Sequence, residues 1–450
     1  MMNTLGDLIP VLGDVLAGGT GPLDVPFEGV STDTRTVGRG NLFVALRGER
    51  FDGHDFVEAA RAAGAVCAVV EHPVDADLPQ LVVTDAGRAY GLIAKAWRGR
   101  FAIPLTAVGG SNGKTTTTQM LAAILRERWG AERMCATQGN FNNEVGVPRM
   151  LLTLGFEHRG AVFECGMNHP GEMARLADWV RPTVALLTNA QREHQEFLNG
   201  VEETARENGL LIVALPETGT AVYPADDACA GIWEGLAVAR GVKSLTYATD
   251  PRVGADVVGL VSEGRLVISS PDAEIRTTLA IAGEHNVHNA VGAAAAALAM
   301  GIDPESIARG LAGFRALKGR GERSTSQSGR LTVIDDAYNA NPDSVRASMR
   351  LLAGEPGPRT FVLGDMGEIG EGAEAAHREV GAYARSIGLD ALYASGPFSK
   401  FAAEAFGEGG RWFESAEALT QALRGLTGTV TVKASNFMKF GRIADALKQE

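Results

Sequence analysis

The sequence predicts an α/β protein with three domains, and two observations carry this prediction. Short apolar runs typical of strands alternate with helical patterns along most of the 450 residues. Such alternation is typical of parallel sheets covered by helices on both faces. The Gly- and Arg-rich stretch LKGRGER at 317–323 interrupts the alternation, as a linker does. We therefore expect domains at residues 1–103, 104–317 and 318–450.

The first domain is predicted from three β-like runs and one helical pattern. The runs are NLFVAL, AVCAVVE and QLVVT, and the helical pattern is the Ala-rich DFVEAARAAGA. Together they predict a small α/β unit. The initial stretch MMNTLGDLIPVLGDVL has no basic region and carries Asp7 and Asp14 among its apolar residues, so we expect no signal peptide.

The second domain begins at Pro104 with the strand LTAVGG, a Gly-rich loop and a helix over about 114–128. Further strands are expected in GAVFECGM and TVALLTNA, each followed by a helical pattern, which predicts a parallel sheet. Between about 255 and 282 the runs ADVVGLV, RLVISS and IRTTLAIAG follow one another directly, which predicts an antiparallel flank. A helix over about 285–300 closes the unit.

The third domain resumes the β-α alternation after the linker. Its strands are expected in RLTVIDDAY, RTFVLGDM, DALYASG and TVTVKAS. No internal repeat or low-complexity segment interrupts the three units.

Composition indicates a soluble, cytoplasmic globular protein. Apolar residues make up 45% of the chain and charged residues 21%. The net charge of −12 argues against a nucleic acid or an anionic membrane as partner. The four cysteines are scattered, which suits a reducing compartment. The longest apolar stretch, at 290–300, is too short to span a membrane, so we expect no membrane insertion.

The stretch GGSNGKTTTT at 109–118 is typical of a phosphate-binding loop. A Gly-rich turn between a strand and a helix directs backbone N–H groups at phosphates. Lys114 would reach the β and γ phosphates, and the Thr115 hydroxyl would bind Mg²⁺. A strict Walker A pattern needs glycine where this chain has Val108. The alternative is a Gly-rich turn with an exposed lysine.

Two further residues are candidates for a metal site. Glu164 follows an apolar strand at the edge where doubly wound sheets bind ligands, and a carboxylate there is costly unless it is paired or binds metal. A helix cap or a salt bridge would account for Glu164 equally well. His194 follows the strand TVALLTNA, and a loop histidine is more often solvated. The residues alone leave both assignments open.

Five stretches resemble the Mur ligase family and occur in the family's order. In this family the phosphate loop has the pattern G-[ST]-N-G-K-T, which does not require glycine at the position of Val108. The five stretches are STDTRTVGRGNLFVALRGERFDGHDF at 31–56, GGSNGKTTTTQM at 109–120, GNFNNEVGVP at 139–148, DDAYNANPDSV at 335–345 and LGDMGEIGEGAEAAHREVG at 363–381. The third and fourth resemble the branch of the family that adds D-alanyl-D-alanine.

The resemblance implies the Mur ligase architecture and an ATP- and Mg²⁺-dependent amide ligase. It implies an N-terminal domain that binds the UDP substrate, a central P-loop ATPase-like domain and a Rossmann-like C-terminal domain. D-Alanyl-D-alanine would be added to UDP-N-acetylmuramoyl-tripeptide through an acyl phosphate, completing the cytoplasmic peptidoglycan precursor. The third residue of the tripeptide is open between diaminopimelate and lysine. We expect a monomer.

The resemblance also implies roles for individual residues. Lys114, Glu164 and His194 would be catalytic, and Thr115, Glu164 and His194 would bind metal. ATP would be bound by Gly109, Gly110, Ser111, Asn112, Gly113, Lys114, Thr115, Asn286, Asn289, Arg320 and Asp336. The other substrates would be bound by Thr34, Arg35, Asn140, Asn143, Tyr338, Asn341, Lys433 and Ser435. Without the resemblance, the two asparagines at 286 and 289 would be read as helix caps, Arg320 as a solvated linker charge and Asp336 as a strand-end cap.

The chain departs from the family pattern at two places. Many members carry a lysine, carbamylated by CO₂, that helps bind a second Mg²⁺, and Asn208 occupies that position here. We hypothesise that the Asn208 amide oxygen or the neighbouring Glu207 takes part of that role. In SNFMKFGR, Asn436 stands where arginine is usual and Gly441 where glutamate is common.

Two alternative functions compete with this one. One is another acid–amine ligase on the same scaffold, of MurE or folylpolyglutamate type, against which YNANPDSV and GNFNNE argue. The other is a non-ligase switch that hydrolyses ATP. Such a switch needs no uridine-nucleotide domain, so the stretch 31–56 argues against it.

Overall fold

A computed structural model describes residues 4–48, 50–193 and 195–450, so the predicted ligand His194 lies outside the described residues. Three separate β-sheets, each packed with helices, carry the described chain. The predicted α/β class with three domains is therefore confirmed. No helix in the described ranges is both long and apolar enough to cross a membrane.

The N-terminal domain is a five-stranded sheet with the order β1-β5-β4-β3-β2. Its strands are β1 (Leu16–Thr20), β2 (Gly29–Ser31), β3 (Asn41–Val44), β4 (Cys67–Val70) and β5 (Gln80–Val83). Its helices are α1 (Ile9–Leu12), α2 (Val57–Ala63) and α3 (Ala86–Arg98). All strand pairs are parallel except β1 with β5. The central strand β4 is buried at every position, which suits its apolar run CAVV.

The central domain is a nine-stranded sheet with the order β14-β13-β12-β11-β10-β9-β6-β8-β7. Its strands are β6 (Leu105–Gly109), β7 (Met134–Ala136), β8 (Gly160–Glu164), β9 (Val184–Leu187), β10 (Thr220–Pro224), β11 (Lys243–Ala248), β12 (Val257–Ser262), β13 (Arg265–Ser269) and β14 (Glu274–Thr277). Its helices are α4 (Lys114–Trp129), α5 (Gly146–Leu151), α6 (Glu172–Val180), α7 (Val201–Asn208), α8 (Leu210–Val213), α9 (Ala230–Arg240), α10 (Glu284–Ala299) and α11 (Pro304–Gly313). The predicted antiparallel flank is confirmed as β12 to β14, although β14 ends well before the end of its predicted run.

The C-terminal domain is a six-stranded sheet with the order β15-β16-β20-β17-β18-β19. Its strands are β15 (Glu322–Thr325), β16 (Leu331–Asp335), β17 (Arg359–Leu363), β18 (Ala391–Ser395), β19 (Gly410–Phe413) and β20 (Gly428–Lys433). Its helices are α12 (Pro342–Ala353), α13 (Ala373–Ser386), α14 (Ser399–Phe406), α15 (Ala416–Leu423) and α16 (Gly441–Lys448). Only the edge strand β15 pairs antiparallel.

The site is positioned by the order of the parallel strands. In the central sheet β6 lies between β9 and β8, so the segments that follow these three strands meet at one edge. In the C-terminal sheet β16, β20 and β17 are neighbours in the same way. Residues that follow strands of both sheets line one cavity between the two domains.

Candidate functional site

The cavity between the central and C-terminal domains has a volume of about 1330 Å³ and brings together most of the predicted site residues. Those that line it are Ser111, Asn112, Gly113, Lys114, Thr115, Asn140, Asn143, Glu164, Asn286, Asn289, Arg320, Asp336, Tyr338, Lys433 and Ser435. Gly109, Gly110 and Asn341 are not among the lining residues, nor are Thr34 and Arg35 of the N-terminal domain.

The phosphate loop runs from the end of β6 at Gly109 to the start of α4 at Lys114. Gly113 has a φ of 82°, and a Cβ atom there would lie 2.3 Å from the Oδ1 atom of Asn289. The loop therefore requires glycine at this position. The first turn of α4 has N–H groups without intrahelical acceptors, and this positive end of the helix lines the cavity.

Three N–H groups of the loop already have acceptors within the protein. The Gly110 N–H donates to Asn208 Oδ1 at 2.7 Å. The Ser111 N–H donates to the Asn189 carbonyl at 3.0 Å, and the Asn112 N–H to Asn189 Oδ1 at 2.9 Å. These contacts therefore hold the shape of the loop, and Lys114 and the start of α4 face the cavity.

The Lys114 ammonium lies inside this loop. It donates to the carbonyl oxygens of Gly110 at 2.6 Å and Ser111 at 3.0 Å, and it forms an ion pair with Glu193 Oε2 at 3.1 Å. The Glu193 side chain is only 8% exposed, so the pair is partly shielded from water. Glu193 was not predicted from the sequence. It holds the lysine at the place where a phosphate would bind.

Glu164 lies at the end of β8 and is 2% exposed. Its Oε1 atom accepts a hydrogen bond from Asn142 Nδ2 at 2.7 Å, whereas its Oε2 atom is buried without a hydrogen-bond partner among the described residues. A buried carboxylate oxygen without a partner is costly, and a bound cation would remove that cost. The residues present therefore fit a metal ion.

No group of three His, Cys, Asp or Glu side chains within the described ranges could hold a metal by itself. Magnesium commonly binds through one or two carboxylates together with substrate phosphates and water. Glu164 and the Thr115 hydroxyl, which also lines the cavity, match this kind of site.

The structure does not support the hypothesis that Asn208 or Glu207 replaces a metal ligand. Asn208 is 1% exposed, and its amide oxygen already accepts the Gly110 N–H. The Oε1 atom of Glu207 accepts the Gly171 N–H at 2.6 Å. Neither side chain lines the cavity, because both are turned toward the backbone of neighbouring segments.

Helix α10 and the interdomain linker form the next part of the wall. Asn286 and Asn289 are buried on α10, and Asn286 Nδ2 donates to the Ala282 carbonyl at 2.6 Å. The Arg320 guanidinium lies over the Tyr338 ring at 3.9 Å from its centroid. Arg320 is therefore stacked on an aromatic ring of the C-terminal domain. The alternative interpretation of Arg320 as a solvated linker charge is not supported.

The C-terminal domain contributes a buried ion pair and a polar turn. Lys433 Nζ donates to Asp336 Oδ2 at 2.7 Å, and the lysine side chain is 5% exposed. The Ser435 hydroxyl accepts the Gly367 N–H at 2.8 Å and donates to the Ala340 carbonyl at 3.3 Å. The resemblance implied that Asp336 binds ATP and that Lys433 binds another substrate. In the structure the two side chains form an ion pair.

Several cavity residues were not predicted. Phe437 is 63% exposed at the cavity wall, and Asn436 beside it accepts a hydrogen bond from Lys439 Nζ at 2.8 Å. Asn142, the partner of Glu164, lies within the quoted GNFNNEVGVP stretch between the predicted Asn140 and Asn143. The sequence contains no signal that singles it out, since its role follows from the neighbouring positions of β7 and β8.

Thr34 and Arg35 lie in the turn after β2, away from the cavity. The Arg35 guanidinium forms an ion pair with Asp33 at 2.6 Å. The Arg35 side chain and its backbone N–H lower the pKa of Asp33 to about 2. Their predicted contact with the UDP substrate stays a prediction.

Asn143 and Asn341 both lie just before a helix and accept N–H groups near its start. Asn143 Oδ1 accepts the Gly146 N–H at 2.9 Å at the start of α5. Asn341 Oδ1 accepts the Ser344 N–H at 2.8 Å and caps α12. Asn341 Nδ2 also donates to Asn112 Oδ1 at 2.9 Å, so it connects the C-terminal domain to the phosphate loop.

Three family profiles match successive parts of the chain. The profile described as "Mur ligase family, catalytic domain" matches residues 26–97, "Mur ligase middle domain" matches 108–297, and "Mur ligase, glutamate ligase domain" matches 319–435.

Relatives align along nearly the whole chain. The UDP-N-acetylmuramoyl-tripeptide–D-alanyl-D-alanine ligase of Escherichia coli (strain K12) is 36% identical over 445 residues, 97% of each chain. A crystal structure of MurF from Acinetobacter baumannii is 31% identical, covers 99% of both chains and has a TM-score of 0.88. MurF of Thermotoga maritima in complex with ADP shares the fold, with 24% identity, 94% and 97% coverage and a TM-score of 0.79. The chain therefore belongs to the Mur ligase family, in its MurF branch.

Proposed function

We propose that this chain is an ATP-dependent amide ligase that joins D-alanyl-D-alanine to the terminal carboxylate of UDP-N-acetylmuramoyl-tripeptide. One observation carries the proposal. The phosphate loop, a carboxylate with an unpartnered oxygen and the Lys433–Ser435 turn line a single cavity. The Escherichia coli relative named for this reaction aligns along nearly the whole chain.

ATP is proposed to bind with its phosphates at the start of α4. Lys114 would exchange its contacts with the loop carbonyls for phosphate oxygens, and Glu193 would keep its ammonium in place. The ADP bound to the Thermotoga maritima protein supports a nucleotide in this fold. Asn286, Asn289, Arg320 and Asp336 would contact the nucleoside.

Glu164 and Thr115 would hold Mg²⁺, with His194 as a further proposed ligand. When bound, the metal would neutralise charge between two anionic reactants, the triphosphate and the carboxylate. The residues of the chain would position the reactants and supply positive charge around them. Lys114 supplies a fixed positive charge at the phosphates, and the paired Lys433 supplies another from the opposite wall.

The proposed reaction has two steps. A carboxylate oxygen of the tripeptide attacks the γ-phosphorus, and ADP leaves to give an acyl phosphate. The amine of D-alanyl-D-alanine then attacks the carbonyl carbon, the amine proton is lost, and inorganic phosphate leaves as the amide forms. The acyl phosphate must be kept from water, and the C-terminal domain, which forms the second wall of the cavity, would do this.

The alternatives are not favoured. A MurE-type or folylpolyglutamate-type ligase would use the same fold, but the nearly full-length relative carries the D-alanyl-D-alanine name. An ATP-hydrolysing switch would not need the N-terminal domain that matches the family profile at 26–97. We also propose a cytoplasmic location and a monomer, the latter testable by size-exclusion chromatography with light scattering.

The proposal is tested by measuring phosphate release from ATP and Mg²⁺ with UDP-N-acetylmuramoyl-tripeptide, with and without D-alanyl-D-alanine. We expect release that needs both substrates, and a product whose mass is the sum of the two minus water. Release without either substrate, and no amide product, would contradict the ligase and favour the switch. An amide formed with a single amino acid in place of the dipeptide would favour the other ligases.

A further inference from the structure

The buried amide of Asn208 contacts the phosphate loop from a segment to which the proposed reaction gives no role. Asn208 ends α7, and its Oδ1 atom accepts the Gly110 N–H at 2.7 Å. Its Nδ2 atom donates to the Thr204 carbonyl at 3.0 Å, one helical turn earlier. Both ends of the amide therefore have partners, which gives the side chain a single orientation.

The contact falls on the peptide that joins Gly109 and Gly110. The carbonyl of this peptide accepts the Thr188 N–H at 3.0 Å, and its N–H group donates to Asn208. Gly110 has a φ of 116°, and a Cβ atom there would lie 2.3 Å from Thr188 Oγ1. One peptide plane is thus held from both sides at the point where the chain leaves β6.

We infer that Asn208 is a positioning residue for nucleotide binding. By fixing the 109–110 peptide, it holds the loop in the shape that presents Lys114 and the start of α4 to phosphates. The inference rests on the proposed function, because it requires that phosphates bind at this loop. A neutral side chain suits the position, since the Gly110 carbonyl accepts from Lys114 at 2.6 Å: a negative charge at residue 208 would attract this ammonium, and a positive charge would repel it.

The first test is the affinity for MgADP, measured by titration calorimetry on the full chain. Asn208→Leu keeps a similar volume and leaves the buried Gly110 N–H without its acceptor. We expect it to weaken MgADP binding about tenfold and to raise the KM for ATP by a similar factor. We expect kcat at saturating ATP to fall less, because the bound nucleotide restores the loop.

Asn208→Asp gives a pH-dependent test on a side chain of the same shape. A protonated aspartic acid can accept from Gly110 and donate to the Thr204 carbonyl, as asparagine does. An ionised one loses the donor and adds a negative charge beside the phosphates. Because residue 208 is buried, the pKa of an aspartic acid there would be raised from about 4 toward neutral pH. We therefore expect the MgADP affinity of this variant to rise relative to wild type when the pH is lowered from about 8 to about 6.

Trp233→Phe is the matched control. Trp233 Nε1 donates to the Ala205 carbonyl of α7 at 2.9 Å, so its loss destabilises the same helix without touching the loop. We expect a lower Tm and an MgADP affinity within about twofold of wild type. Failure of the wild-type chain to bind MgADP would overturn the proposed function. Wild-type binding with unchanged affinity in both Asn208 variants at both pH values would overturn the role of Asn208.

Discussion

At the scale of single residues, two buried carboxylates each carry an oxygen without a hydrogen-bond partner among the described residues, yet they differ in their surroundings. Glu164 lines the cavity beside the phosphate loop. Asp335 ends β16 with a lysine amine 3.8 Å away, and burial raises the pKa of its carboxyl group. Only Glu164 faces a space that could hold a cation. The open oxygen of Glu164 therefore suits a bound cation, whereas that of Asp335 does not.

Replacing Glu164 with glutamine keeps its shape and removes its charge. Because metal binding would supply several kcal/mol of charge stabilisation, we expect kcat/KM to fall by about 100-fold. We also expect the Mg²⁺ concentration that gives half-maximal activity to rise. Phosphate release measured across a Mg²⁺ titration checks this. The exposed Glu157→Gln is the control and should behave as wild type. A Glu164→Gln enzyme with the wild-type Mg²⁺ profile would contradict the metal role.

At the scale of elements, the phosphate loop depends on partners from several different segments. Thr188 and Asn189 follow β9, Asn208 ends α7, and Asn341 caps α12 in the next domain. Each partner is a backbone group or a short neutral side chain. These four partners shape the loop without adding charge of their own, whereas the Glu193 carboxylate pairs with Lys114.

Asn341 caps α12 and also contacts Asn112, and the substitution Asn341→Ser separates these two roles. Serine keeps the cap of α12 but cannot reach Asn112, so one hydrogen-bonded connection between the domains is lost. We expect a Tm close to wild type and a KM for ATP raised about threefold. Steady-state kinetics and thermal melting check this. Ser415→Ala, which removes the cap of the distant α15, should lower the Tm and leave KM unchanged. An unchanged KM in Asn341→Ser would show that the contact does not influence the nucleotide site.

Arg192 makes a second connection between the central and C-terminal domains. Its guanidinium contacts Asp343 at 2.7 Å on α12 and Glu379 at 2.7 Å on α13. The hydrogen bond from Arg192 holds the pKa of Glu379 below its ordinary value. A carboxyl group with a lowered folded-state pKa stabilises the fold above its unfolded pKa, and that contribution is lost as the pH falls.

We therefore expect wild type to melt at a higher temperature than Glu379→Gln at pH 7, with the difference vanishing as the pH drops below the lowered pKa of Glu379. Thermal melting from about pH 7 to about pH 3 measures it. The Arg192–Glu379 ion pair is partly exposed, so high salt should reduce the difference in melting temperature at pH 7. A difference that grows on acidification would contradict the assignment.

At the scale of the whole molecule, the N-terminal and central domains are joined through a buried interface between α3 and α6. The Arg98 guanidinium is buried and donates to the carbonyls of Val180 at 3.1 Å and Arg181 at 3.2 Å. Burial lowers the pKa of Arg98 to about 10, which still leaves it charged at neutral pH. Gly91 packs so closely that a Cβ atom there would lie 2.2 Å from Trp179.

Arg98→Met is expected to uncouple these two domains. It removes the donors of buried carbonyl groups, for which we expect a loss of about 3 kcal/mol. Scanning calorimetry should show one transition for both domains in wild type and two separated transitions in the variant. Lys95→Met, which removes the partly exposed ion pair with Asp178, is the milder control. A single shared transition in Arg98→Met would show that the Arg98 hydrogen bonds are not needed to join the domains.

The strands predicted from the sequence are all present, but seven others in the described part of the chain were missed. They are β1, β2, β7, β10, β11, β15 and β19. Most are short or lie partly exposed, and β1 contains two glycines in LAGGT. Such strands form because a neighbouring strand offers hydrogen bonds, which a local apolar pattern does not encode.

The sequence by itself determined the fold class, the three units, the phosphate loop and the carboxylate at the end of β8. These are local signals, because a strand, a turn and a helix start within a few residues of each other. Only the tertiary structure decided that Asn208 holds Gly110 from 98 residues away, that Asn142 supports Glu164 and that Lys433 pairs with Asp336. Each of these contacts depends on which strands are neighbours in a sheet or how two domains meet. A hydrogen bond between distant residues has no spacing rule that could be read along the chain.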